Sequence, residues 1–222
     1  MMFLSDFCNV EPGYYKIGDK VLDKMVNLST ELEVKDELSL CFLYAYLIYT
    51  GNLSVNRNFR YDKNNIYNNC FYQIMLGYGC CRNIEDGLSK FLNKKDIKNH
   101  TVYVNTNPFA KDLNHCVNLI ILKDGYFVFD VTNMELLKIS GRFLRRINVK
   151  GLHYTKIINP KESIFDCFNL RKEQRNFKYN LDEYLNKEKY DFEFFRKNQC
   201  IFNNFYDEAK DDIKEINRLI LK

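Results

Sequence analysis

The stretch Gly77-Tyr78-Gly79-Cys80-Cys81-Arg82-Asn83-Ile84-Glu85-Asp86-Gly87-Leu88-Ser89-Lys90-Phe91-Leu92 decides how the chain is read. Its first two glycines predict a tight turn, and Ile84, Leu88, Phe91 and Leu92 then recur at helical spacing, so a turn feeds the start of a helix. Cys81 stands at that start. Unpaired N–H groups and the positive end of the helix dipole gather there, and both favour thiolate, the form that attacks carbon. Cys81 is therefore the leading candidate nucleophile.

A thiol nucleophile needs a base, and the chain offers His100, His115 and His153. His115 opens the clearest strand pair: Val117, Leu119 and Ile121 alternate up to Lys123-Asp124-Gly125, and Tyr126-Phe127-Val128-Phe129 returns. The return strand ends in Asp130, which is placed to orient an imidazole. Cys81, His115 and Asp130 thus supply nucleophile, base and orienter in chain order. A two-residue turn at Asp124-Gly125 puts Asp130 on the same sheet face as His115 but opposite Leu119. The offset along the strands is then about 13 Å at ~3.3 Å per residue. A wider loop, a bulge or strong twist is expected to close it.

Three segments together resemble a known family. Gly-Tyr-Gly-Cys-Cys-Arg-Asn, then Asn114-His115-Cys116-Val117-Asn118-Leu119, then Asp124-Gly125-Tyr126-Phe127-Val128-Phe129-Asp130-Val131-Thr132-Asn133 is similar to the signature of the transglutaminase-like branch of the papain-like cysteine enzymes. The resemblance runs from about Tyr67 to Asn133. It implies Cys81 as nucleophile, His115 as base, Asp130 as orienter, and an α+β core in which the nucleophile helix packs on an antiparallel sheet. Cys80 stands where the family has a small apolar residue, so either adjacent thiol can be the attacking one, with Arg82-Asn83 favouring Cys81. Cys116-Val117 replaces a common Ala-Trp, and Val131 replaces a common proline.

The 222 residues are 46% hydrophobic and 28% charged, enough for a globular domain with a substantial core. The 33 basic and 29 acidic residues nearly balance, which gives no electrostatic footprint for nucleic acid, so none is expected as a partner. Cysteines at 8, 41, 70, 80, 81, 116, 167 and 200 form no Cys-x-x-Cys pair, so no metal site or cofactor is expected. They read as reduced, mostly buried thiols of a cytoplasmic protein. Met1 to Asp6 shows no signal-peptide pattern, which points the same way.

Around the motif, amphipathic helices are expected at Val21 to Leu32 and Lys35 to Tyr49. The apolar run of the second is well short of the ~20 residues that cross a bilayer. It reads as a buried packing helix ended by Gly51-Asn52, and no membrane association is expected. Gln73 and Tyr78 are candidate oxyanion donors but read better as surface and packing residues. Thr101 to Val104 reads as a strand, with His100 just before it and His153 in a further strand. Arg142, Arg145, Arg146 and Lys150 read as a solvated face. Beyond Pro160, Asp191 to Phe195 and Tyr206 to Lys222 suggest helices, the latter with an apolar stripe of Ile213, Ile216, Leu219 and Ile220. Glu208, Asp211, Asp212 and Glu215 are expected on its solvated surface.

The expected organisation is a transglutaminase-like catalytic domain with N-terminal helices over 1–160 and a helical extension packed on it over 161–222. The expected activity is thiol-dependent hydrolysis of an amide in a protein or peptide, as in a peptidase or deamidase, or transfer of the acyl group to an amine. Two other readings are a binding module that keeps the fold without catalysis, and a zinc site made of Cys81, His115 and Asp130.

Overall fold

In the computed structural model the described residues are 12–62, 71–104, 115–123, 125–133, 135–139, 155–156, 178–179 and 192–220. Apolar residues three and four apart make α1 (Pro12–Glu31), which buries Val21, Leu22, Met25 and Leu28. It begins well before Val21, with proline at its first position, where a missing N–H costs nothing. Asp36 caps α2 (Glu37–Tyr49) by accepting a hydrogen bond from Ser39 N at 2.8 Å, which is why this helix starts after Lys35. Every residue from Leu38 to Ile48 is buried, as expected of a helix apolar on all sides. Gly51, at φ 70°, lets the chain turn back beyond Thr50, and Asn52 N donates to Leu47 O at 3.0 Å.

β1 (Arg60–Tyr61) pairs in parallel with β2 (Tyr78–Gly79), and a 3-10 helix over Phe71–Leu76 leads into β2. Gly77 makes the turn between them at φ 90°, a conformation that needs glycine. The chain then enters α3 (Cys81–Lys94).

The main sheet contains β3 (Asn99–Val104), β4 (His115–Leu122), β5 (Gly125–Asp130) and β6 (Glu135–Ile139), antiparallel in sequence order. Two short strands flank them: β7 (Thr155–Lys156) runs parallel to β3, and β8 (Lys178–Tyr179) antiparallel to β6. His100 lies inside β3, not ahead of it. β8 falls within 161–222, expected as a helical extension with helices at Asp191 to Phe195 and Tyr206 to Lys222, so that region also adds an edge to the sheet.

The β4–β5 hairpin pairs Leu122 with Gly125 and Leu119 with Val128. The turn is thus one residue earlier than Asp124-Gly125. The shift moves Val117, in place of Leu119, opposite Asp130, and halves the expected offset between His115 and Asp130 to two residues.

Ile120, Phe127 and Phe129 face the helical layer, where the Phe129 ring meets Phe42 of α2 edge-on with centroids 5.3 Å apart. α3 packs on both this sheet and the N-terminal helices. A Cβ on Gly87 would come within 2.2 Å of both the Phe71 ring and Tyr44 Oη, so only glycine admits that approach. α4 (Phe192–Lys197) and α5 (Gln199–Ile220) complete the helical layer. Phe195 and Phe202 pack on Tyr46, Ile213 and Ile216 are buried, and Lys24 of α1 pairs with Asp212 at 2.6 Å.

The arrangement mixes helices with a mainly antiparallel sheet, compatible with an α+β fold. Among the described residues no helix is long and apolar enough to cross a membrane. His153, the Arg142 to Lys150 face and the loop from Asn105 to Asn114 lie outside the described residues.

Candidate active site

His115 is the first residue of β4 and Asp130 the last of β5, both buried. Strand alternation places them on one face, and Asp130 Oδ2 lies 2.7 Å from His115 Nε2. That contact fixes the imidazole and leaves Nδ1 as the nitrogen available to take up a proton. Asn133 secures the carboxylate: its N–H donates to Asp130 Oδ1 at 3.0 Å and its Nδ2 to Asp130 Oδ2 at 2.8 Å. Asn133 Nδ2 is also 3.4 Å from His115 Nε2. Asn133 closes the third quoted segment, yet its sequence position gave no sign of this role, because the role depends on the turn after Asp130. Tyr49 Oη holds the same turn by donating to Val131 O at 3.0 Å and Thr132 O at 3.1 Å. Burial, with Glu85 and Asp130 nearby, pushes its phenol up to about 12.

The two thiols stand at the start of α3, Cys80 as the N-cap and Cys81 as the first helical residue. Asn83 Oδ1 accepts the Cys80 N–H at 2.9 Å, reaching back across the first turn. Cys80 Sγ is 3.3 Å from the same oxygen, a contact suited to a protonated thiol. The opposing donors are more numerous: the Cys81 thiol, the Arg82 side chain, and the N–H groups of Arg82 and Asn83 all draw Cys80 below the ordinary thiol range. Cys81 is driven the opposite way, chiefly by its hydrogen bond to Cys80 and by burial. The hydrogen bonding therefore favours thiolate at Cys80 and thiol at Cys81.

Tyr61 reaches the same place from β1, where it is registered with Gly79. Burial and its contact with Cys81 hold its hydroxyl protonated well above the usual phenol range. Gln73 is buried and accepts from Asn83 Nδ2 at 3.4 Å, so it supports the turn and is not a surface residue.

The structure brings His115 and Asp130 into contact. It forms no hydrogen bond between Cys81 and His115 among the described residues. The reason lies in the sheet: Asn118 faces α3, where its Nδ2 donates to Glu85 Oε2 at 2.6 Å, and His115 has the opposite parity on the same strand. Among the described residues no group of three His, Cys, Asp or Glu side chains is placed to hold a metal ion. Among the described residues Cys41, Cys80, Cys81, Cys116 and Cys200 form no disulfide.

Comparison with protein-family models, curated proteins and solved structures finds no match to this chain.

Proposed function

We propose that this chain is a cysteine-dependent enzyme acting on amide bonds of a protein or peptide, with a papain-like, transglutaminase-like core. The observation that carries the reading is the buried His115–Asp130 contact at 2.7 Å, secured by Asn133, in a chain whose α3 begins with two adjacent thiols. An imidazole fixed through Nε2 is oriented to exchange a proton through Nδ1. A sulfur of the Cys80–Cys81 pair gives its proton to His115 Nδ1 and attacks the carbonyl carbon, the amide C–N bond breaks with that proton passing from His115 to the leaving nitrogen, and an acyl-enzyme remains. Water then releases an acid, or an amine takes the acyl group. The backbone N–H groups at the start of α3 are suited to hold the developing oxyanion. In this reading the imidazole meets the thiols around the open end of β4, a contact that tightens when substrate binds. The resemblance gives the attack to Cys81, and the hydrogen bonding gives the resting charge to Cys80.

Peptide-mapped mass spectrometry after a brief, substoichiometric dose of iodoacetamide across a pH series, with His115→Ala alongside, tests this reading. The expected result is selective alkylation of Cys80 or Cys81 well below the ordinary thiol pKa of ~8.5, collapsing in the variant. The alkylated position identifies the sulfur that is the resting thiolate. Labelling indifferent to His115, or no faster than at Cys200, would sink the reading.

A further inference from the structure

Glu85 is a buried ionisable group to which the chemistry above assigns no role. It lies one helical turn beyond Cys81 and is fully buried. Its Oε2 accepts from Asn118 Nδ2 at 2.6 Å, its backbone oxygen accepts from the same nitrogen at 2.9 Å, and its Oε1 accepts from Val131 N at 2.9 Å. Asn118 is three residues past His115, and Val131 directly follows Asp130. One carboxyl therefore ties the first turn of α3 to both strands that carry the imidazole and its orienter. Asn118 is braced in turn by Thr101 of β3, whose hydroxyl donates to its Oδ1 at 3.4 Å. A carboxyl so deep in an apolar layer is costly unless its oxygens are engaged, and here both are.

We propose that Glu85 is a positioning residue of this site: its carboxyl sets where the Cys80–Cys81 thiols stand relative to the His115–Asp130 couple. The inference rests on the thiol reading above. It makes the hydrogen bonds to Asn118 and Val131 the means by which the helix start and the strand ends are registered. Glu85 touches neither reacting sulfur nor imidazole and acts through its neighbours.

The test is a double-mutant cycle on the full chain, read as the iodoacetamide alkylation rate of the Cys80–Cys81 pair at neutral pH. His115→Ala is expected to slow labelling about tenfold in the otherwise unaltered protein, and by less than about twofold in a Glu85→Ala background, the signature of coupling within one network. Glu85→Gln keeps an acceptor for Val131 N–H and is expected to restore most of the His115 dependence. Glu85→Met, which fills a similar volume without the oxygen acceptors, is expected not to restore it, and would restore it if Glu85 were only a packing group. Far-UV circular dichroism confirms that each variant is folded, and Glu85→Met carries the test if Glu85→Ala is not. In that case its His115 dependence must lie measurably below that of the unaltered protein. A full tenfold His115 effect surviving in Glu85→Ala, or in Glu85→Met where Glu85→Ala does not fold, would overturn the positioning role and leave the thiol reading intact. No His115 effect in the unaltered protein would overturn the thiol reading, and this inference with it.

Discussion

His115 and Asp130 sit on neighbouring strands two residues out of direct register, and their side chains close that diagonal to 2.7 Å. Same-face diagonal neighbours in an antiparallel pair have backbones roughly 7–8 Å apart, which an imidazole and a carboxylate can bridge. No bulge or widened loop is required.

The first prediction follows from that diagonal. Asp130→Asn leaves a group of the same shape but removes the charge that holds the ring and accepts from Asn133. His115-dependent alkylation of the thiol pair should fall about tenfold, within the ~30-fold separating a full thiolate from an ordinary thiol near pH 7. Asn133→Ala removes donors and leaves the carboxylate in place, so its effect should be about fivefold, the size of one ordinary hydrogen bond. Alkylation rates of the two variants measured side by side give the ranking. A larger loss in Asn133→Ala would mean that Asp130 is not the residue orienting the ring.

A second prediction separates the adjacent thiols. Donors at the helix start lower Cys80, so its labelling should persist as pH falls below the usual thiol range, ending only when pH passes its lowered pKa. Cys81 is raised chiefly by its hydrogen bond to Cys80. Cys80→Ser should therefore return Cys81 toward ordinary behaviour and remove the reactivity at about pH 6, well under the ~8.5 of a free thiol. Peptide mapping at about pH 6 and pH 9 checks both, against the same ~8.5 reference. Cys81 labelling first at the lower pH would reverse the assignment of the charge.

Much of this site was legible because short-range patterns carry it. The glycine turn, the helical spacing from Ile84 to Leu92 and the alternation in Val117, Leu119 and Ile121 each depend on neighbours a few residues away. The same-face relation of His115 and Asp130 was legible as well, since it needs only that paired positions sum to an odd number. The register itself was not: Lys123-Asp124-Gly125 contains two possible two-residue turns, and the structure uses the earlier one. The role of Glu85 is not legible, because a glutamate on a helix reads as solvated until Asn118 and Val131 arrive from distant strands. The acid–base character of Cys80 and Cys81 depends on which sulfur faces the helix N–H groups, which the order of two identical residues does not express.

A third prediction concerns Glu85 and pH. Burial, with Asp130 nearby, raises its carboxyl well above the ordinary value, while Asn118 and the N–H groups of Val131 and Thr132 oppose the shift. The other ionisable groups that feel it are Cys81 on α3, Cys116 on β4, and Cys41, Tyr44 and Tyr49 on α2. A raised folded-state pKa favours folding most below the unfolded value of about 4.3, and that advantage is lost as pH rises toward the folded value. Glutamine does not titrate. Glu85→Gln should thus be destabilised most relative to the unaltered protein at about pH 5, and less so near pH 8, since the reference carboxylate titrates from about 4.3. Thermal unfolding midpoints of both proteins across that range give the difference, and a gap that widens with pH would show that Glu85 is ionised without cost.

The last prediction sets two backbone effects against each other at Gly87. An alanine in the middle of a helix is worth about 1 kcal/mol over glycine, so Gly87→Ala in an exposed α3 would stabilise the protein. At this position the added methyl meets the Phe71 ring and Tyr44 Oη at 2.2 Å each, too close for either to remain. Tyr44 Oη also donates to Ile84 O at 2.7 Å, so moving it abandons a buried carbonyl in the first turn of α3. Overpacking of this kind costs about 1–3 kcal/mol, and the lost hydrogen bond adds about 1. The expected net change is a loss of about 2 kcal/mol, seen as a fall in Tm of about 4–8 °C for a chain of this size. Tyr44→Phe introduced with Gly87→Ala removes the clashing hydroxyl, so the double variant should lose less than the two single losses added together. Additive losses would place the strain on Phe71, and a gain in Tm from Gly87→Ala alone would mean that α3 does not press so closely on Tyr44 and Phe71.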